Sequence, residues 1–235
     1  MQDKLCILTI IKDEHRYLDE WIRYHCELGI DTLFIIEDTG SKSHKDITDK
    51  YPNVILRPRS DFKGDKQART FNDAYHTIIK QNYDWCFIMD IDEFITCNMS
   101  LNEIFEKYKN EPYIWLQWHN YGANGILNKS IYNKPIFDIY TKKCGDRPID
   151  IAFHKTGKMC YNCHKYNDVI FMHWLANTPA QEDIWLRHYI TKSLSEWIWK
   201  ITVRGMHNPG NRKLEDFFIY NPDMIQYKDI LCKYL

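Results

Sequence analysis

The sequence predicts an α/β protein, with a mainly parallel sheet flanked by helices, and three observations carry that prediction. Apolar runs of strand length alternate with amphipathic stretches of helical spacing through the first half of the chain. Acidic residues fall just after those runs, at the strand ends where open parallel sheets bind ligands. At 235 residues, 44% hydrophobic and 15% aromatic, the chain has the material for one sizeable core and is not a disordered segment.

Leu5–Ile11 reads as a buried strand, and Tyr17–Leu28 as a helix with Leu18, Trp21, Ile22, His25 and Leu28 near helical spacing. Thr32–Glu37 is a second strand, closed by the turn cluster Asp38-Thr39-Gly40-Ser41. Val54–Leu56 is a short third strand. Lys66–Gln81 follows as a helix with Ala68, Phe71, Ala74, Tyr75 and Ile78 on one face. Trp85–Met89 is the fourth strand, with Asp90-Ile91-Asp92-Glu93 at its end. Ser100 and Glu103 are spaced as a capping box opening another helix. Beyond Tyr113–Trp118, a strand, the pattern loosens into a Gly-containing loop. A polar, His- and Cys-containing region then runs to about His173. Lys192–Arg204 closes the reading as an amphipathic helix with Gly205 as its cap. No linker or repeat interrupts the chain, so residues 1–235 read as a single domain.

The charge balance, 31 basic against 32 acidic residues, gives no global field for nucleic acid. No apolar run approaches the roughly 20 residues of a membrane span, so membrane contact is expected to be peripheral at most. Met1–Leu5 passes directly into a strand-like run without the pattern of a signal peptide. The expected compartment is therefore the cytoplasm, including the inner face of the membrane. The eight scattered cysteines are expected to be reduced thiols, several of them in the core.

Asp90 and Asp92 form the central motif. If the backbone stays extended, alternation puts both carboxylates on one side. Two such groups suit Mg²⁺ or Mn²⁺, hard ions that also bridge a diphosphate. Alone, Asp-x-Asp is a weak pattern that a solvated strand end or a helix cap explains equally well. Its place after an apolar fourth strand strengthens it. Lys12, Asp13, Glu14 and Asp38 stand at the ends of the first two strands, where acidic groups can bond a ribose or a base. Gln67 and Arg69 open the helix after the third strand and can face the same crevice. His188 and Lys192, with Lys200 and Arg204, supply basic groups near a helix start, a place suited to a diphosphate. For each, the bland alternative is a cap, a turn or a solvated helix face.

Cys160-Tyr161-Asn162-Cys163-His164 admits several readings: haem attachment, which requires export; a zinc site with His154 or His173; His164 completing the metal shell from the far side of the cleft; or no metal role at all. The third is the strongest of the metal readings. Trp118, His119, Tyr121 and Trp174 suit stacking on sugar faces, whereas Trp115 reads as core.

Taken in order, these motifs resemble one family. Ile11-Lys12-Asp13-Glu14, Tyr17-Leu18-Asp19-Glu20-Trp21, and Tyr24-His25 with Leu28-Gly29 resemble the opening of glycosyltransferase family 92 and the related bacterial glycosyltransferase-2-like domains. The resemblance continues through Ile36-Glu37-Asp38, Ser41, Gln67 and Met89-Asp90-x-Asp92-Glu93-Phe94. It then reaches Trp118, Tyr121-Gly122, Gly125, His164, His188-Tyr189, Lys192-Ser193 and Arg204-Gly205. It implies a GT-A fold, Rossmann-like, with residues 1–110 as the nucleotide-sugar-binding half and 111–235 as the acceptor-binding half. It also implies Mn²⁺ or Mg²⁺, and a nucleotide-sugar donor of the UDP-hexose class, UDP-galactose among them. Transfer would be to a hydroxyl of a glycan or glycolipid, with inversion, in surface polysaccharide or lipooligosaccharide synthesis.

Carried onto this chain, the resemblance gives Asp90, Asp92 and His164 to the metal. The donor pocket receives Lys12, Asp13, Glu14, Asp38, Gln67, Arg69, Asp90, His188 and Lys192. Asp13 departs from the usual Asn, and Tyr121 from the commoner Phe. An inverting transfer also needs a general base; Asp146, Asp150, Asp168 and Glu182 are the candidates, and no spacing separates them. A nucleotidyltransferase is the first rival, disfavoured because Lys12-Asp13-Glu14-His15 stands where a Gly-rich phosphate loop would be needed. A non-catalytic sugar-nucleotide or metal-binding module is the second.

Overall fold

A computed structural model describes residues 3–64, 66–128, 134–144, 157–167, 181–204 and 213–228, of Arg204 the backbone only. The described residues fall into two compact units, one within 1–118 and 155–186, the other within 119–154 and 187–235.

In the first unit, β1 (Leu5–Ile11), β2 (Thr32–Glu37), β3 (Val54–Pro58) and β4 (Trp85–Ile88) are the four strands expected from the sequence. They lie in the order β3-β2-β1-β4 with every neighbour parallel. Four further strands, β5 (Glu93–Cys97), β6 (Tyr113–Asn120), β7 (Gly157–Asn162) and β8 (Ile184–His188), extend the sheet to β3-β2-β1-β4-β7-β6-β8-β5. This is the expected α/β architecture with one refinement: the sheet is mixed. β7 runs antiparallel to both β4 and β6.

Both faces of the parallel strands are covered, which is why they read as unbroken apolar runs. On one face Cys6, Leu8, Phe34, Ile36, Cys86 and Ile88 pack with Phe71, Ala74 and Tyr75 from the helix Gln67–Ala74 and its continuation. Trp115 joins this cluster, a core residue as expected. On the other face Trp85 and Phe87 meet Phe105 of the helix Leu101–Tyr108. That helix starts on the predicted capping box: the Glu103 N–H donates to Ser100 Oγ, and the Ser100 N–H to Glu103 Oε2.

The helix α1 (His15–Leu28) buries Tyr17, Leu18, Trp21, Ile22 and His25, and Gly29 ends it in a left-handed conformation that favours glycine. It also fixes β5. Trp21 Nε1–H donates to the Glu93 carbonyl at 2.9 Å, and Tyr24 Oη to the Ile95 carbonyl at 2.6 Å. The helix after β3 departs from its predicted face. Ala68 is exposed, and Ile79 rather than Ile78 is fully buried. A π-helical turn over Tyr75–Ile79, closed by the Lys80 N–H on the Tyr75 carbonyl, inserts one residue and shifts the stripe.

In the second unit, Leu194–Trp199 packs Leu194 and Trp197 against Leu214, Phe217 and Phe218 of Leu214–Tyr220. The predicted helix is shorter than Lys192–Arg204. It begins after the N-cap Ser193 and passes into a π-helical turn at Lys200. The expected cap Gly205 lies outside the described residues.

Candidate active site at the carboxyl edge of the sheet

Because β3, β2, β1 and β4 are parallel, Arg59, Asp38, the Lys12–Glu14 segment and Asp90 all follow strands that end on the same edge. A parallel β3–β4 crossover also requires the intervening helix Gln67–Ala74 to start on that edge. Gln67, half-buried, and Arg69, exposed, open it. The sequence reading places Asp13, Glu14, Asp38 and Asp90 on one edge, and the strand order agrees.

The β1 and β2 ends are tied together. The Asp38 N–H donates to the Ile11 carbonyl at 2.8 Å, the Asp13 N–H to Ser41 Oγ at 3.0 Å, and the Lys42 N–H to Asp13 Oδ1 at 3.0 Å. Asp13 has φ 52°, the left-handed region where Asn and Asp are the best tolerated non-glycine residues. Asp38 carries an ion pair with Arg59, Nη1 to Oδ1 at 2.6 Å. Arg59 escaped the sequence reading, although it directly follows the third strand. His44, fully buried, accepts the Glu14 N–H at Nε2 (2.9 Å) and bonds Glu37 Oε1 through Nδ1 (2.9 Å). Burial pushes its pKa down against the pull of Glu37, so it is held as a neutral ring that locks the segment after β1.

The Asp90–Glu93 segment is a turn, not an extended strand end. The Glu93 N–H donates to the Asp90 carbonyl at 3.1 Å, and the Asp90 N–H to Glu93 Oε2 at 2.9 Å. The condition for simple alternation therefore fails, and it is the turn that sets the two aspartates. Beneath them lies a residue the sequence reading missed. Lys158 of β7, only 1% exposed at its side chain, places Nζ 2.8 Å from Asp90 Oδ2 and 3.8 Å from Glu93 Oε1. It also sits 5.7 Å from the centre of the Trp118 ring. Burial alone would lower the lysine pKa; Asp90 and Glu93 outweigh it, and Lys158 keeps its proton. Glu93 is pushed well up, chiefly by burial, with Lys158 opposing and Asp90 and Asp92 reinforcing the shift. Its Oε1 accepts no hydrogen bond. The neighbouring Gly157 is fixed by contact, since a Cβ there would lie 2.1 Å from the Leu116 carbonyl oxygen.

His164 is not brought to this turn. Its Nε2 lies 2.6 Å from Asp84 Oδ1, just before the first residue of β4, whereas Asp90 follows the last. At about 3.3 Å per residue the two ends are separated by roughly 20 Å of chain. The reason is strand direction: antiparallel β7 delivers Lys158 to the carboxyl end of β4 and His164 to its amino end. Glu182, exposed, gives its carbonyl to Asn98 Nδ2 beyond the far end of β5, and is not brought to the turn either. Asp146, Asp150 and Asp168 lie outside the described residues, as do His154, His173 and Trp174. Cys160 and Cys163 are buried thiols whose pKa values burial drives up.

In the second unit His188 is buried with Nδ1 2.9 Å from Asn120 Oδ1, and the Tyr121 N–H donates to its carbonyl at 2.9 Å. Lys192 is buried at φ 53°. The helix start beside it has little left for a phosphate. The Leu194 and Ser195 N–H groups donate to the Ile126 and Leu127 carbonyls, and the Glu196 N–H to Ser193 Oγ. Any basic contact there falls to side chains.

Among the described residues no three His, Cys, Asp or Glu side chains gather as a complete metal cage. The turn nevertheless fits a hard divalent ion in a restricted sense. The Asp90 carboxylate stays 32% exposed, and Asp90 and Asp92 stand beside a single buried ammonium, with Glu93 pushed toward its neutral form. Mg²⁺-type sites take one or two protein carboxylates and fill the rest with phosphate oxygens and water.

A parallel β3-β2-β1-β4 sheet with polar and acidic groups along its carboxyl edge defines an α/β protein of the doubly wound class. The chain belongs to glycosyltransferase family 92, whose pattern matches residues 4–224. A family 92 protein of Oryza sativa subsp. japonica is 25% identical over 129 residues, which is 52% of this chain and 22% of that protein. One of Ricinus communis is 20% identical over 131 residues, 52% of this chain and 24% of the relative. The matched segment thus spans under a quarter of each curated relative. Among solved structures, glucosyl-3-phosphoglycerate synthase from Mycobacterium tuberculosis aligns with 69% of this chain and 57% of its own, at 11% identity and TM-score 0.37. A nucleotide-diphospho-sugar transferase from Desulfovibrio desulfuricans aligns with 70% of this chain and 66% of its own, at 12% identity and TM-score 0.32. Alignments this remote add nothing to the strand order.

Proposed function

We propose that this chain is a glycosyltransferase that moves a hexose from a nucleotide-diphosphate sugar, of the UDP-hexose class, to a hydroxyl of a glycan or glycolipid. Family membership supports the reaction class. The observation that carries the site is the convergence of Asp13, Asp38, Arg59 and the Asp90–Glu93 turn on one sheet edge. In this reading the tied ends of β1 and β2 hold the nucleoside: Asp38, oriented by Arg59, and the locked Lys12–Glu14 segment offer acceptors and a cation to ribose and base. Asp90 and Asp92 would hold a divalent ion, Mn²⁺ or Mg²⁺, which when bound neutralises charge developing on the departing diphosphate. Gln67 and Arg69 flank the same edge, and His188 and Lys192 are assigned to the diphosphate through their side chains.

Inversion requires a base near the acceptor hydroxyl, and Asp146, Asp150 and Asp168 are retained as candidates for it. Surface-glycan synthesis on the cytoplasmic side is part of the same reading. No described helix is long and apolar enough to cross a membrane. The test is a screen of UDP- and GDP-sugars for binding and hydrolysis, with and without Mn²⁺. Turnover of a UDP-hexose is expected; failure of every nucleotide sugar to bind would overturn the proposal.

A further inference from the structure

We propose that Lys158 is a resident cation of the carboxylate turn, a positioning residue that holds Asp90 before a divalent ion arrives and keeps that ion's binding weak until a diphosphate is present. This rests on the reading of Asp90 and Asp92 as metal-binding residues. Asp90, Asp92 and Glu93 crowd three carboxyl groups into four residues, two of them buried. Lys158 answers that crowding from inside the protein. Its ammonium meets Asp90 Oδ2 at 2.8 Å and Glu93 Oε1 at 3.8 Å and has the Trp118 ring within reach, while Asp92 acts on it electrostatically. With its side chain 1% exposed against 32% for Asp90, Lys158 acts through Asp90 and not on a ligand directly.

Two consequences follow from elementary electrostatics. The turn keeps its shape without a metal, because the ammonium offsets carboxylate repulsion. A divalent ion taking Asp90 then sits within a few ångströms of a fixed like charge, which is costly in a partly buried site. The diphosphate of a donor restores the negative charge, so ion and donor bind together better than either binds alone.

The experiment is Mn²⁺ titration by electron paramagnetic resonance, with and without UDP, on wild type, Lys158→Met, Lys158→Arg and the double variant Lys158→Met/Glu93→Gln. The double variant removes the ammonium together with the fully buried Glu93 carboxyl, and so avoids the unpaired Glu93 that can unfold Lys158→Met. Wild type is expected to bind Mn²⁺ weakly, tightened at least about tenfold by UDP. Lys158→Met and the double variant should bind Mn²⁺ alone at least about tenfold more tightly than wild type and gain less from UDP, with Lys158→Arg restoring wild-type behaviour. Unchanged or weaker Mn²⁺ binding in the lysine-free variants would overturn the role of Lys158 and leave the metal reading standing. Absence of Mn²⁺ binding in every variant, with and without UDP, would overturn both.

Discussion

The two ends of β4 each carry an aspartate paired with a base, and the pairs differ in kind. At the amino end Asp84 meets His164, whose side chain is 66% exposed. Burial alone would raise the Asp84 carboxyl, but the Lys4 N–H and His164 outweigh it and hold its pKa below the usual range. At the carboxyl end Asp90 meets a lysine sealed in the protein, among two further carboxyl groups. The first is a surface tie between β1, β4 and the end of β7, worth little energetically. The second is a charge-dense turn whose parts depend on one another. An aspartate with a partner base is therefore no sign of a site; burial and local charge decide.

The largest expected difference between the two ends is in stability. Lys158→Met leaves buried carboxyl groups uncompensated and should cost about 3–5 kcal/mol in urea unfolding. A loss as small as that of an exposed pair would break the contrast at its root.

His25 sharpens it, as a base buried without a carboxylate. Its Nδ1–H donates to the Trp21 carbonyl, and burial lowers its pKa to about 3. The folded pKa lies below the unfolded value of about 6.5. Above that value neither state is protonated and nothing is lost. As pH falls from about 6.5 to about 3 the unfolded chain takes the proton first, so stability declines by on the order of 4 kcal/mol, and the slope ends below. His25→Gln should flatten unfolding free energy against pH in that window. An unchanged slope would remove the claim that burial alone keeps a base neutral here while carboxylates keep Lys158 charged.

What the sequence made legible follows the same division. Periodicity and strand ends located β1 to β4 and, with them, Asp13, Asp38 and Asp90, because parallel βαβ units tie a residue's place along the chain to one sheet edge. Lys158 was hidden. It lies in β7, where Gly157-Lys158 precedes Met159-Cys160-Tyr161 within a stretch that reads as polar and irregular, and its partners are some 70 positions away in sequence. His164 was misplaced for a related reason. Residue spacing cannot tell whether a strand runs up or down beside its neighbour, and antiparallel pairing exchanges the two ends. The positive φ of Asp13 gives physical sense to a residue noted at first only as a departure from Asn.

The smallest effect belongs to His164. His164→Ala should cost no more than about 1 kcal/mol and leave Mn²⁺ affinity unchanged. A loss of Mn²⁺ binding in that variant would return His164 to the metal and contradict the account of β4's two ends.

The central claim, that the Asp90–Glu93 turn serves glycosyl transfer from a nucleotide sugar, is tested most directly by donor turnover in wild type and Asp92→Ala, with and without Mn²⁺. The account predicts Mn²⁺-dependent turnover of a UDP-hexose in wild type, reduced at least about a hundredfold in Asp92→Ala while the fold is retained. Equal turnover in the two proteins would contradict it.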